Sequence, residues 1–103
     1  MLVHVESANQ FNELVKKGIV LVDFFATWCG PCRMLGPELE KLAAAEPEIT
    51  ILKVDCDELG EIAAHYSVSS IPAMFLIKDG KVVGTQVGFL NLKGLQQFVA
   101  QAK

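Results

Sequence analysis

Two thiols separated by two residues, Cys29 and Cys32, are the most chemically pointed feature of the sequence. They lie in Trp28-Cys29-Gly30-Pro31-Cys32, where a run of β-branched and aromatic residues gives way to a helical pattern. The first N–H groups of a helix have no partners, and the helix dipole favours an anion there. A Cys29 thiol at that position is therefore expected to ionise readily and act as a nucleophile near neutral pH. Cys32 follows one helical turn later on the same face, so the two sulfurs can close a disulfide in a small ring. Pro31 is tolerated because the first turn has no hydrogen bond for it to break, and it stiffens the segment between the thiols. A zinc half-site is the competing reading, but zinc takes about four ligands. Only Cys56, His4 and His65 remain, scattered and unpaired, so no metal is expected.

The elements that must hold this pair alternate between strand and helix patterns. Leu2–Glu6 alternates apolar and polar and reads as an edge strand. Ser7 and Gln10 fit a capping box, each side chain satisfying the other's free N–H, before a helix with Phe11, Leu14 and Val15 on one face. Gly18 is expected to end that helix in a left-handed cap. Ile19–Phe25 is almost wholly apolar, the pattern of a strand covered on both faces of a parallel sheet. A second helix runs from about Cys29 to Ala45, with Leu35, Leu39, Leu42 and Ala43 on one face and a kink expected at Pro37. Ile49–Val54 is another buried strand, and a short helix follows around Leu59–Tyr66. Ala73–Lys78, Asp79-Gly80 and Lys81–Val87 read as a hairpin. Asn91 caps a last helix with Leu92, Leu95, Phe98, Val99 and Ala102 along one stripe.

The order βαβαβαββα places the first three strands in parallel and adds the hairpin as an antiparallel edge. The expected fold is α/β: a central mixed five-stranded sheet with helices on both faces. The 103 residues suit one domain spanning 1–103. Hydrophobic residues make up 51% and charged residues 20%, with mean hydropathy +0.37, which excludes a disordered tail. A formal net charge of −3 lacks the basic field that nucleic acid or anionic lipid requires, so neither is an expected partner. The longest aliphatic run stops at Asp23, so no membrane helix is expected. The first residues show no basic start followed by an apolar stretch, so the expected compartment is the cytoplasm. Three cysteines are too few for a disulfide scaffold, so cysteine is expected here for chemistry more than for cross-linking.

The sequence resembles the thioredoxin family along its whole length. The resemblance rests on Val22-Asp23-Phe24, Trp28 to Cys32, Pro37, Lys53-Val54-Asp55, Ile71-Pro72, Asp79-Gly80 and Val87-Gly88. It implies the thioredoxin fold and a general protein dithiol–disulfide reductase without a cofactor. Cys29 thiolate would attack a substrate disulfide to give a mixed disulfide. Cys32 would then attack Cys29, release the reduced substrate and leave the pair oxidised. Asp23 is the candidate base for Cys32, since burial raises a carboxyl toward neutrality; the bland alternative is a carboxylate at a wet strand end. Lys53 either pairs with Asp23, as the matching family lysine does, or is a solvated lysine at a strand end. The family carries a cis proline at the position of Pro72. That geometry would aim the Ile71 backbone toward an extended substrate, with Trp28, Gly30, Pro31, Val87 and Gly88 completing a flat apolar patch. Disulfide-containing proteins are the implied substrates, a flavin- and NADPH-dependent thioredoxin reductase is the implied electron source, and a monomer is expected.

The sequence also departs from the family pattern. Phe25 stands where bacterial members commonly have tryptophan, and Ala73 where many have threonine. Cys56 lies between Asp55 and Asp57, whose charges disfavour a thiolate, so it reads as structural rather than as a second nucleophile. His65 follows Glu61 at helical spacing and reads as a surface pair. Two other functions compete with the reductase. An oxidase or isomerase of the same fold commonly carries a histidine between the cysteines, which is absent here. A redox-gated binding subunit would use the Trp28 patch to hold a partner without turnover.

Overall fold

The computed structural model describes residues Met1–Lys103. Its elements are β1 (Leu2–His4), α1 (Ala8–Leu14), β2 (Ile19–Phe25), α2 (Gly30–Ala45), β3 (Thr50–Asp55), α3 (Gly60–His65), β4 (Ala73–Lys78), β5 (Lys81–Val87) and α4 (Leu92–Val99), followed by a 3₁₀ turn over Ala100–Ala102. Ser7 caps α1 as expected, its hydroxyl accepting the Gln10 N–H at 3.1 Å. The reciprocal half of the box is displaced: the Gln10 side chain accepts from Glu6 N–H at 2.7 Å rather than from Ser7. α1 ends on right-handed Val15, so Gly18 is not its cap. Gly18 does have φ +76°, but it opens β2 and donates its N–H to the Asp79 carboxylate at 2.8 Å.

The five strands form one sheet in the order β1-β3-β2-β4-β5. β1 and β2 both run parallel to β3, while β4 is antiparallel to β2 and β5 antiparallel to β4. The hairpin thus forms the antiparallel edge of the sheet, as expected. Within it β4 is interior and β5 is the border strand, with β1 at the opposite edge. The physical reason is written in β4: Ala73-Met74-Phe75-Leu76-Ile77 has no polar residue on either face, so both faces must be covered. At the turn, Asp79 and Gly80 have φ +48° and +87°, the paired positive values that a tight hairpin demands.

Side chains alternate across β2, and the two sides bury separate cores. Leu21, Ile51, Met74 and Leu76 pack with Leu35, Leu39 and Leu42 of α2 and Leu95, Phe98 and Val99 of α4. Val20, Val22, Phe24, Leu52 and Val54 pack on the other side with Phe11 of α1 and Ile62 of α3. Asp23 and Phe25 continue the Leu21 side, and Lys53 the Ile51 side, so all three belong to the face under α2. No helix is long and apolar enough to cross a membrane.

Candidate active site

The antiparallel placement of β4 and β5 gathers several chain segments at one end of the sheet. The end of β2, the start of β4, the end of β5 and the end of β3 all lie there, with the first turn of α2. Cys29 is the N-cap of α2, in extended backbone, with Pro31 in the first turn. Its Sγ accepts the N–H of Cys32 at 3.2 Å, and its carbonyl accepts the N–H of Arg33 at 3.2 Å. A sulfur so placed faces the unpaired donors of the helix start, an arrangement that favours its anion. Cys29 and Cys32 are joined as a disulfide with Cα atoms 5.3 Å apart, well within the span such a bond accepts. Both are nearly inaccessible and pack with Ala26, Phe25 and Ile71.

The loop residues converge on this bond. Ile71-Pro72 is a cis peptide, and the Ile71 carbonyl oxygen lies 3.9 Å from Cys29 Sγ. Gly88, with φ +99°, donates its N–H to the Pro72 carbonyl at 2.8 Å, and a Cβ there would meet nothing within 4 Å. Val87 pairs with Ala73 at the start of β4 and is 61% exposed, while Trp28 is 70% exposed, so both are rim rather than core. Gly30 and Pro31 are exposed beside them. Sequence reasoning missed Asp57: its carboxylate accepts the Trp28 indole N–H at 2.9 Å, and its own N–H is held by Asp55 at 2.8 Å. Nothing local announces that bond. It depends on β2 and β3 ending side by side. Phe89, also exposed, was likewise not singled out.

Asp23 is wholly buried, and neither carboxylate oxygen has a hydrogen-bond partner. Burial raises its carboxyl from 3.8 to about 7, against a smaller downward pull from Lys53. The wet-strand-end alternative is thus excluded. Lys53 is in register with Asp23 on the neighbouring strand, but no ion pair forms; its ammonium stands 4.6 Å from the centroid of the Phe25 ring. A cleft of about 280 Å³ is lined by Cys32, Thr27 and Arg33 together with Phe25 and Lys53. Burial, and then the charges of Asp55, Asp57 and Asp23, push the Cys56 thiol up, so burial outweighs the anions that the sequence pointed to. His65 makes no pair with Glu61; its ring meets Tyr66 edge-on at 5.6 Å.

The Thioredoxin family model matches residues 2–101. The chain belongs to the thioredoxin family. It is 49% identical over 100 residues to the thioredoxin of Chlamydia trachomatis serovar D, covering 97% of this chain and 98% of that one. It is 51% identical over 97 residues to the thioredoxin of Staphylococcus aureus strain Mu50, covering 93% and 92%. The solution structure of oxidised thioredoxin from Plasmodium falciparum superposes with TM-score 0.89 at 31% identity over 100% of both chains. With the family established, the Cys29–Cys32 pair makes the chain a protein dithiol–disulfide oxidoreductase, acting on disulfide substrates as thioredoxins do.

Proposed function

We propose that Cys29 is the attacking thiolate, Cys32 the resolving thiol and Asp23 its proton acceptor. In the reduced protein Cys29 Sγ attacks one sulfur of a substrate disulfide; the S–S bond breaks and its electron pair leaves on the other substrate sulfur. Cys32, deprotonated by Asp23, then attacks Cys29 Sγ. The mixed disulfide breaks, the second substrate sulfur departs as thiolate, and the Cys29–Cys32 bond forms. Two electrons have passed to the substrate, whose thiolates take up protons from water. The observation that carries this assignment is the cap: only Cys29 Sγ receives a helix-start N–H, at 3.2 Å from Cys32. Asp23 fits the base because it is buried, unpartnered and titrates near neutrality.

Trp28, Gly30, Pro31, Ile71, Val87 and Gly88 then form the docking surface over the buried Pro72, whose cis bond orients the Ile71 backbone for pairing with an extended substrate segment. Lys53 tempers Asp23 through its charge. The oxidised pair is returned to dithiol by a flavin- and NADPH-dependent thioredoxin reductase in the cytoplasm, and residues 1–103 work as one monomeric domain. The test is Cys32→Ser with a disulfide protein such as insulin. The variant is expected to accumulate a covalent adduct through Cys29, released by dithiothreitol, and to lose turnover. Turnover at the parent rate, or no adduct, would overturn the pairing of roles.

A further inference from the structure

Lys53 lies in register with His4 on β1 and with Asp23 on β2, so the three side chains form a row on one face of the sheet. The molecule's ion pairs use Lys16, Lys41 and Lys103, and none uses Lys53. Its Nζ stands instead 4.6 Å from the centre of the Phe25 ring, on the strand that carries Asp23. Phe25 follows Asp23 by two residues and so faces the same way. The carboxylate beside this ammonium is left without any hydrogen bond.

We propose that Phe25 is a positioning residue for the exchange reaction: its ring holds the Lys53 ammonium off Asp23 and so keeps the buried carboxyl unpaired. The inference rests on the reading of Asp23 as proton acceptor. A ring face attracts a cation without stripping all of its water, whereas moving the ammonium onto a wholly buried carboxylate desolvates it. With the ring present, the half-exposed position over Phe25 wins. Without it, the ammonium gains by turning to the nearest anion. An ammonium on Asp23 would favour the charged carboxylate and lower its titration. A base that gives up its proton well below the working pH accepts one poorly there.

The other charged groups around Lys53 come from every neighbouring element. His4 lies on β1, Arg33 and Glu40 on α2, and Glu6, Asp55 and Glu58 at the strand ends; all line cavities that meet at Lys53. The four acidic ones are the competitors for a released ammonium. Asp23 itself is faced by Lys53 from β3, with Met74 opposite on β4; the other ionisable group it couples to is the Cys56 thiol.

The experiment follows Asp23 directly, by carboxyl-carbon NMR titration of the oxidised protein. Phe25→Leu, or Phe25→Met should the leucine variant fold poorly, is expected to lower the Asp23 midpoint by about one pH unit or more. Phe25→Tyr, which keeps a ring face, is expected to stay at the parent midpoint. In a Lys53→Met background, Phe25→Leu is expected to move nothing. An unchanged or raised midpoint in Phe25→Leu, a lowered one in Phe25→Tyr, or the same shift without Lys53 would overturn the proposal. Its failure is separable from that of the base assignment, which falls if Asp23→Asn reduces insulin at the parent rate whatever these titrations show.

Discussion

Asp23→Asn isolates the cost of holding a carboxylate in the core at pH values below the range in which the Cys56 thiol, the group that Asp23 also pushes up, gives up its proton. Burial raises the folded carboxyl from 3.8 to about 7, and Lys53 draws it back only in part. Between those values the folded protein keeps a proton that the unfolded chain has released. The group's contribution to stability is therefore intact below pH 3.8 and is lost as pH rises through about 7, where the penalty levels off. The gap of about 3 pH units, at about 1.36 kcal/mol each, is worth on the order of 4 kcal/mol. Asparagine does not titrate. Its buried amide lacks partners much as the protonated carboxyl does, so that cost enters at all pH values alike.

The difference in unfolding free energy between variant and parent should therefore be flat below about pH 4. It should climb by about 1.4 kcal/mol per pH unit up to about pH 7 and then stay constant, in favour of the variant. Denaturant unfolding of both oxidised proteins at about pH 3.5, 5, 6 and 8 measures it, with slopes checked for equality. Glu38, Glu48 and Lys103 also titrate away from their ordinary values, but they do so in both proteins and cancel in the difference. A difference that is flat across the whole range, or that turns against the variant as pH rises, would refute the assignment of a buried, protonated Asp23.

An alkylating reagent at about pH 7 should label Cys29 of the reduced protein well before Cys56. Cys29 faces the helix-start N–H of Cys32, while burial and three carboxylates push the Cys56 thiol up. Equal rates, followed by peptide mass spectrometry, would contradict that contrast. Gly88→Ala should lose about 1–2 kcal/mol by denaturant unfolding, the cost of forcing φ +99° on a residue with a Cβ. The added methyl meets nothing within 4 Å, so a much larger loss would point to a contact the fold does not contain.

What could be read from the chain and what could not divide along local and non-local lines. Ser7 before α1, Asn91 before α4 and Asp79-Gly80 in the hairpin are local signals, and each one is used: Asn91 accepts the Gly94 N–H at 2.9 Å. The Cys29 cap was equally legible, because the strand pattern ends at Phe25 and Pro31 is tolerated only in the first turn of the helix that follows. The place of the hairpin at an antiparallel edge was legible too, and the unbroken apolar run of β4 carries the same signal that marked β2 as interior. Gly18 was misassigned because its positive φ serves Asp79, which lies 61 residues away. The Trp28–Asp57 bond and the Lys53–Phe25 contact share that character. Both depend on the register of β3 against β2, which alternation alone does not set.

The same register explains why stability and chemistry are opposed at Asp23. A parallel β3 on one side and an antiparallel β4 on the other leave no edge through which water could reach the carboxyl, and α2 closes the face above it. The closure that raises Asp23 toward neutrality also leaves both of its oxygens unpartnered. One physical cause, burial without a partner, thus produces both the destabilisation at neutral pH and the capacity to take a proton there. Any change that relieves the first by pairing or removing the charge must diminish the second. Asp23→Asn and Phe25→Leu are therefore expected to act alike in direction: each relieves the unpaired charge above pH 7, one by removing it and one by giving it Lys53, and each slows the resolving step at neutral pH. An Asp23→Asn variant that gained stability at high pH while keeping the parent rate of insulin reduction would break that link and move the proton acceptor elsewhere, whereas a Phe25→Leu variant that did so would overturn the positioning role of Phe25.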